Sequence, residues 1–160
     1  MDKLNIICID DQRDVLNALT EDLKEFESTL RIEACESVEE AWEIIESIDA
    51  AGDFVSLVIT DQVMPVNTGV DILKKLNEDS RFDHTRKILL TGLATHQDTI
   101  EAINSAKLDH YIEKPWEKAQ LEKVIKQLLT KFILSKGLDY QKYPELIDQD
   151  TLFEQLRKTT

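Results

Sequence analysis

The sequence predicts a three-layer α/β domain in which five parallel strands form a doubly wound sheet with helices on both faces. Short apolar and β-branched runs alternate five times with longer amphipathic stretches, as expected of repeated strand–helix units. The first run, Leu4–Ile9, is almost continuously apolar, which is typical of a strand covered on both faces. Consecutive units of this kind have right-handed crossovers, which make the strands parallel and the sheet doubly wound.

The first two units have clear boundaries. Residues 13–26 carry apolar side chains three or four positions apart, which indicates an amphipathic helix. The second strand covers residues 31–35. Ser37 then starts a predicted capping box with Glu40, which opens a helix that ends at the break around Gly52.

The remaining units repeat the alternation. The third strand covers residues 54–60, and a loop with Pro65 and Gly69 leads into the third helix. The fourth strand, fourth helix, fifth strand and fifth helix are predicted at residues 87–91, 97–106, 110–113 and 117–135. Thr95 is the predicted cap of the fourth helix, and Gly137 gives a stop signal after the fifth.

The alternation predicts one domain over residues 1–135 and an extension over residues 136–160, formed by a loop and a short helix. The fifth helix has an apolar face wider than one sheet contact requires, and two explanations are open. Either the extension folds back over this face, or the face forms a homodimer. The apolar residues are Leu121, Val124, Ile125, Leu128, Leu129, Phe132 and Ile133.

Charge and composition exclude several classes of function. The formal net charge of −13 repels a phosphate backbone, so we expect no direct binding of nucleic acid. No apolar run approaches the roughly 20 residues that span a membrane, and the start of the chain lacks a signal-peptide pattern, so we expect a cytoplasmic protein without membrane contact. Cys8 and Cys35 are expected to be reduced, with a disulfide as the alternative.

Polar residues capable of chemistry follow four of the five predicted strands. They are Asp10 and Asp11, then Asp61, Thr91 and Lys114. Ligands bind at the carboxyl ends of strands in such sheets, so these side chains are expected to form one site. Singly, each has a structural explanation, such as a helix cap or a solvated turn. Together, the three carboxylates repel one another, and a single lysine does not neutralise them.

A divalent cation removes that repulsion, and an all-oxygen ligand set favours Mg²⁺. Phosphoryl transfer beside such an ion needs a nucleophile, positioning and charge neutralisation. Asp61 is the predicted nucleophile because an aspartate can form an acyl phosphate and this one lies between the other acids and the Thr–Lys pair. Lys114 would neutralise phosphoryl oxygens, and Thr91 would donate a hydrogen bond to one of them.

These residues resemble the receiver domains of two-component response regulators over about residues 3–130. The motifs that carry the resemblance are Asp10-Asp11, Asp61-Gln62-Val63-Met64-Pro65, Thr91-Gly92 and Lys114-Pro115. The resemblance implies a flavodoxin-like sheet in the order 2-1-3-4-5. It also implies that Asp61 accepts a phosphoryl group from a histidine kinase or phosphotransfer partner. Such a chain is not an enzyme beyond its own phosphorylation and dephosphorylation.

The resemblance also implies roles for neighbouring residues. By this resemblance Asp11, Asp61 and the backbone carbonyl of Val63 would ligate Mg²⁺, and Asp10 would help to hold it, through a water or directly. Tyr111 corresponds to an aromatic residue that changes rotamer on activation, and with Thr91 it would alter the surface of the fourth helix, fifth strand and fifth helix. A partly buried strand residue is the alternative for Tyr111.

Two positions depart from the best-known chemotaxis-type pattern. Val63 and Leu93 stand where the family often has polar residues that flank the phosphoryl group, so they are the candidates for control of the dephosphorylation rate. The ending Lys114-Pro115-Trp116 resembles a subgroup of receivers often fused ahead of enzymatic outputs. The sequence itself names neither the output nor the cognate kinase.

Two other classes of function are weighed against this one. A haloacid-dehalogenase-like phosphatase also uses an aspartate and Mg²⁺ on a similar sheet, but Gln12 stands where its second acid is needed, and Asp61 and Lys114 would have no role. A receiver fold that acts as an interaction module without phosphorylation is the second alternative, and the complete acceptor set argues against it.

Overall fold

The computed structural model describes residues 3–92 and 96–158, and these contain a five-stranded sheet in the order β2-β1-β3-β4-β5. The strands are β1 Leu4–Ile9, β2 Arg31–Cys35, β3 Phe54–Thr60, β4 Arg86–Leu90 and β5 His110–Ile112. All four pairings are parallel. The predicted fold class and strand order are confirmed.

Helices cover both faces of this sheet. They are α1 Arg13–Asp22, α2 Val38–Ala50, α3 Gly69–Glu78, α4 His96–Ser105, α5 Lys118–Ser135 and α6 Gln149–Lys158. Alternate residues of β1 enter two separate cores, with Ile6 and Cys8 facing α1 and α5, and Ile7 and Ile9 facing α2 and α3. A strand buried on both faces has no solvated side, which is why its sequence is continuously apolar.

One helix end and one helix start differ in detail from the prediction. The first helix ends at Asp22, and a 3-10 turn over Lys24–Ser28 continues it and still buries Phe26. At α2 only half of the predicted capping box forms, since the Ser37 hydroxyl accepts from the Glu40 amide at 3.1 Å. The Glu40 carboxylate accepts instead from the amide of Glu36, also at 3.1 Å.

The extension folds back over α5. After Gly137, which has a φ of 77°, two 3-10 turns at Tyr140–Lys142 and Pro144–Leu146 lead into α6. A buried polar contact anchors the entry to α6, since the Thr130 hydroxyl of α5 accepts the amide of Asp148 at 2.9 Å. The tail residues buried in the core with α5 are Tyr143, Leu146, Ile147 and Leu152.

This arrangement explains the wide apolar face of α5. Leu128 and Phe132 on that face are 5% and 2% exposed because the sheet covers one side of the helix and the tail covers another. The apolar surface that suggested a homodimer is therefore buried within one chain, as the fold-back alternative requires.

Two further expectations concern the membrane and the thiols. Within residues 3–92 and 96–158, no helix combines the length and the apolar character needed to cross a membrane. Cys8 and Cys35 are both free and buried. Burial, with a smaller contribution from Glu40 and Glu33, raises the pKa of Cys35 to about 12, and burial also raises the pKa of Cys8. Both thiols are therefore protonated and poorly nucleophilic at neutral pH.

Candidate functional site

The carboxyl ends of four strands bring the predicted residues to one edge of the sheet. Asp10, Asp61 and Thr91 each directly follow a strand, and each is held there by a backbone hydrogen bond. The Asp61 amide donates to the carbonyl of Ile9 at 2.9 Å, and the Thr91 amide donates to the carbonyl of Ile112 at 3.1 Å. These ladder bonds fix the spacing of the site independently of its side chains.

Lys114 joins two buried carboxylates. Its Nζ lies 2.6 Å from Oδ2 of Asp10 and 3.6 Å from Oδ1 of Asp61. Asp10 and Asp61 are 3% and 6% exposed, whereas Asp11 is exposed at the mouth of the site. Three carboxylates and one ammonium leave a formal charge of −2 in this cluster.

The geometry of the carboxylates fits a Mg²⁺ ion. One oxygen from each of Asp10, Asp11 and Asp61 lies within 4.8 Å of the others. Carboxylate oxygens are the hard donors that Mg²⁺ prefers, so Asp11 and Asp61 would hold such an ion with Asp10 close by. Oδ1 of Asp61 is buried and has no hydrogen-bond partner among the described residues. A buried acceptor of this kind requires a ligand or a water, and a cation would satisfy it.

A pocket of about 230 Å³ opens beside the carboxylate of Asp61. Its lining residues are Asp11, Gln12, Asp61, Val63, Gly92 and Lys114. Val63 is 48% exposed, so its apolar side chain stands at the solvent boundary of the pocket. Leu93, the other residue expected to flank the phosphoryl group, lies outside the described residues.

The loop after β3 contains two residues, Gln62 and Gly69, whose structural roles the sequence did not predict. Gln62 is buried, its carbonyl accepts the amide of Gly69 at 3.1 Å, and its side-chain oxygen accepts the amide of Val70 at 2.8 Å. A Cβ added at Gly69 would lie 2.1 Å from the carbonyl oxygen of Asp61. Only glycine therefore lets the start of α3 pack directly on the backbone of the acceptor. The only sequence signal for this role is that Gly69 directly precedes apolar residues at helical spacing, and that pattern alone predicts a loop residue.

Thr91 and Tyr111 lie on neighbouring strands with different exposure. Thr91 is fully buried, and Tyr111 is partly buried beside a surface pocket that also includes Pro115 and Trp116. Burial, and secondarily the nearby charge of Glu113, raises the pKa of Tyr111, so its hydroxyl is protonated at neutral pH. The indole nitrogen of Trp116 donates to Asp22 at 2.7 Å, which ties the segment after Lys114 to α1.

This sheet order and acidic edge define a CheY-like receiver fold, and comparisons with known proteins identify the family. The response regulator receiver domain family matches residues 6–126, and the chain belongs to it. Membership places the chain in two-component signalling and sets aside the phosphatase alternative.

Named relatives agree with this assignment. Response regulator Rre1 from Synechocystis is 27% identical over 131 residues, which cover 80% of this chain and 52% of Rre1. Chemotaxis protein CheY1 from Helicobacter pylori is 34% identical over 90 residues, covering 56% of this chain and 68% of CheY1. The crystal structure of a CheY-like receiver domain protein from Methanospirillum hungatei has a TM-score of 0.71 at 26% identity and covers 86% of this chain and 100% of that one.

Some relatives are much longer than this chain. The chain spans about half of the length of Rre1 and 17% of the hydrogenase transcriptional regulatory protein HoxA from Bradyrhizobium diazoefficiens. The activities of those whole proteins therefore do not transfer to this chain.

The contact at Gly69 gives a test of the site's construction. Gly69→Ala should lower the free energy of unfolding by about 1–3 kcal/mol, as overpacking does, and should weaken Mg²⁺ binding because the backbone of Asp61 must move. Gly52→Ala is the control, since its Cβ would meet nothing within 4 Å while its φ of 80° still makes alanine unfavourable. Denaturant unfolding with and without Mg²⁺ measures both effects. Equal Mg²⁺ stabilisation of the two variants would contradict the proposed packing.

Proposed function

We propose that this receiver accepts a phosphoryl group on Asp61. The observation that carries the proposal is the state of Oδ1 of Asp61, which is buried, unpaired by hydrogen bonds among the described residues, and 3.6 Å from the ammonium of Lys114. These surroundings suit a nucleophile, because the ammonium of Lys114 can neutralise a transferred group and the adjacent pocket has room for it.

The transfer makes one bond and breaks one bond. A carboxylate oxygen of Asp61 bonds to phosphorus while the phosphorus–nitrogen bond to the donor's histidine breaks, and the histidine keeps the electron pair. Lys114 neutralises charge on the phosphoryl oxygens, and the Thr91 hydroxyl donates a hydrogen bond to one of them. The chemistry of the chain is then confined to its own phosphorylation and dephosphorylation.

Bound Mg²⁺ would supply charge neutralisation between the carboxylates and the incoming phosphoryl oxygens. Asp10, Asp11, Asp61 and the backbone carbonyl of Val63 would hold it. Lys114 already contacts Asp10 at 2.6 Å, which suits Asp10 to act from the outer sphere of the ion. We place this reaction in the cytoplasm, with a histidine kinase or phosphotransfer protein as donor, in a domain of residues 1–135 that carries the extension 136–160.

The acceptor assignment is tested by labelling. Asp61→Asn should keep the fold and lose all labelling by acetyl phosphate, and Asp11→Ala should lose Mg²⁺ dependence and most of the labelling. Asp14→Asn, an exposed carboxylate three residues beyond Asp11, should label normally. Intact-mass analysis gives the readout. A full adduct on Asp61→Asn would overturn the assignment, and no adduct on any variant or on the wild type would favour an interaction module without phosphorylation.

We also propose that phosphorylation switches Thr91 and Tyr111. Thr91 would move toward the new phosphoryl oxygens, and the partly exposed Tyr111 would turn inward to the space beside it. Two such packings differ by only a few kcal/mol, so one charge-assisted hydrogen bond can change which one predominates.

The switch predicts a specific NMR response. Beryllofluoride with Mg²⁺ should shift amide resonances across α4, β5 and α5, and Thr91→Val should bind beryllofluoride yet lose most of those shifts, because valine keeps the shape and removes the hydroxyl. Tyr111→Phe is the companion variant and should keep the shifts if the ring rather than its hydroxyl makes the move. Unchanged amides on this face in the wild type would refute the switch.

Slow loss of the phosphoryl group is the last part of the proposal. Hydrolysis needs a water in line with the bond between Asp61 and phosphorus, and the side chain of Val63 at the pocket boundary can neither donate to that water nor accept from it. Leu93, two residues after Thr91, has the same limitation. With apolar side chains at both positions, the phosphorylated state should persist and the signal should be sustained.

The dephosphorylation rate tests this directly. Val63→Asn combined with Leu93→Glu should speed decay about 10-fold or more, because a positioned water is restored, while Mg²⁺ binding changes little since Val63 contributes only its carbonyl. Val66→Asn is the matched control, being 90% exposed at a φ of 72° that asparagine tolerates well. The decay of the phosphorylated protein in Mg²⁺ buffer is measured for the wild type, the double variant and Val66→Asn. Equal rates for the double variant and the wild type would show that these side chains do not control water access.

A further inference from the structure

A second polar pocket lies at the opposite end of the sheet from Asp61. It has a volume of about 320 Å³ at the amino ends of β4 and β5, under the C-terminal ends of α3 and α4. Its lining residues are Asn77, Asp83, Thr85, Arg86, Lys87, Lys107 and Asp109. Three of these are cationic and two are anionic, so the pocket is formally positive in a chain whose net charge is −13.

Lys87 is the unusual residue of this pocket. It occupies a strand position that is only 4% exposed, and among the described residues its ammonium makes a single hydrogen bond, to the carbonyl of Thr85 at 3.3 Å. No carboxylate among the described residues lies within 4 Å of that ammonium. Burial of a cation with one long neutral contact is costly, and an apolar side chain would fill the same place without that cost.

Asp109, one of the two acids of the pocket, is engaged by other groups. Asp109 accepts the backbone amide of Lys87 at 2.8 Å with one oxygen and lies 3.4 Å from the guanidinium of Arg86 with the other. Arg86 also donates to the hydroxyl of Ser135 at 3.3 Å, and its buried Nε has no hydrogen-bond partner in the part of the chain that the structure describes. Asp109 therefore satisfies the backbone and Arg86, and the ammonium of Lys87 has no carboxylate of the described residues within ion-pair distance.

Lys107 adds a second positive charge at the mouth of the pocket. It is exposed, forms no ion pair within the described ranges, and has a φ of 53° at the C-terminal end of α4. The amide of Leu108 donates to the carbonyl of Ala102 at 3.1 Å, a helix ending that usually places glycine at the position of Lys107. A lysine held there carries its charge to the rim of the same pocket as Lys87.

We infer that this pocket binds a small oxyanion, with a phosphate group as the chemical class, between the ammonium groups of Lys87 and Lys107. Such a ligand supplies the acceptor atoms that Lys87 lacks and gains charge-assisted hydrogen bonds from both lysines. Burial, and secondarily the charges of Arg86 and Lys107, lowers the pKa of Lys87, while Asp109 and Asp83 oppose that change. A bound anion acts in the same direction as the two acids and keeps the ammonium charged.

The inference is independent of the acceptor reaction, and the test separates the two sites. Inorganic phosphate is titrated into the full-length, ¹⁵N-labelled protein without Mg²⁺, and saturable amide shifts are expected around Lys87, Asp83 and Lys107. Phosphate could also enter the pocket beside Lys114, so Lys114→Met is titrated in parallel and should keep the shifts at Lys87 unchanged.

Two variants address the site itself. Lys87→Met keeps the length of the side chain without its charge and should weaken phosphate binding about 10-fold or more, the loss typical of one charge-assisted contact. Lys107→Gln changes an exposed residue and should keep the fold, and it should weaken binding several-fold. Lys123→Gln, on the exposed side of α5, is the control and should bind as the wild type does.

Three results would overturn the inference. They are shifts that rise linearly without saturation, shifts confined to the surroundings of Gly92 and lost in Lys114→Met, and equal affinity of the wild type and Lys107→Gln. Saturable shifts at Lys87 that survive Lys114→Met and weaken in Lys107→Gln would support it.

Discussion

The ammonium group of Lys114 is the contact on which the acidic edge of this receiver depends. It lies 2.6 Å from Asp10 and 3.6 Å from Asp61, and all three side chains are largely removed from solvent. Buried carboxylates this close together repel each other strongly unless a cation intervenes. Because breaking one member of a buried pair typically costs about 3–5 kcal/mol, this lysine also stabilises the fold that presents it. A divalent cation would neutralise the formal charge of −2 that remains in this cluster.

The sheet is what makes that contact possible. Asp10, Asp61 and Lys114 come from three strands, and the ladder bonds of β1, β3, β4 and β5 set their separation before any side chain is placed. Gly69 completes the support by letting α3 start against the carbonyl of Asp61. Backbone hydrogen bonds fix the charged groups of the site, while a pocket beside Asp61 stays open to solvent. This is the arrangement that electrostatic stabilisation of a transferred group would require.

The strand β4 has charged or polar groups at both of its ends. Thr91 follows its carboxyl end in the acceptor site, and Lys87 lies near its amino end in the second pocket. One rigid strand therefore connects the proposed switch residue to the proposed oxyanion site. The tail is a separate feature, since it covers α5 through apolar contacts and the hydrogen bond from the amide of Asp148 to Thr130.

The pattern of residues along the chain is enough to predict the fold class and to group the polar residues of the candidate site. Five apolar runs alternating with amphipathic stretches predict a parallel sheet, and in such a sheet residues that directly follow strands must meet at one edge. Asp10, Asp61, Thr91 and Lys114 could therefore be grouped without coordinates. Short-range patterns were less reliable at element ends, because the hydrogen bonds there depend on neighbours, as when Glu40 turned to Glu36 rather than to Ser37.

Features that depend on the distance between residues far apart in the sequence could be seen only in the folded chain. Whether α5 was covered by its own tail or by a second chain depended on the path of the chain after Gly137, and no local pattern encodes that path. The role of Gly69 depends on its contact with the carbonyl of Asp61, eight residues away. The ammonium of Lys87 lacks an ion pair because the two oxygens of Asp109 contact the Lys87 amide and Arg86 instead. A sequence shows which charges are present, but packing decides which of them are paired, because pairing is set by separations of a few ångströms that only the folded chain fixes.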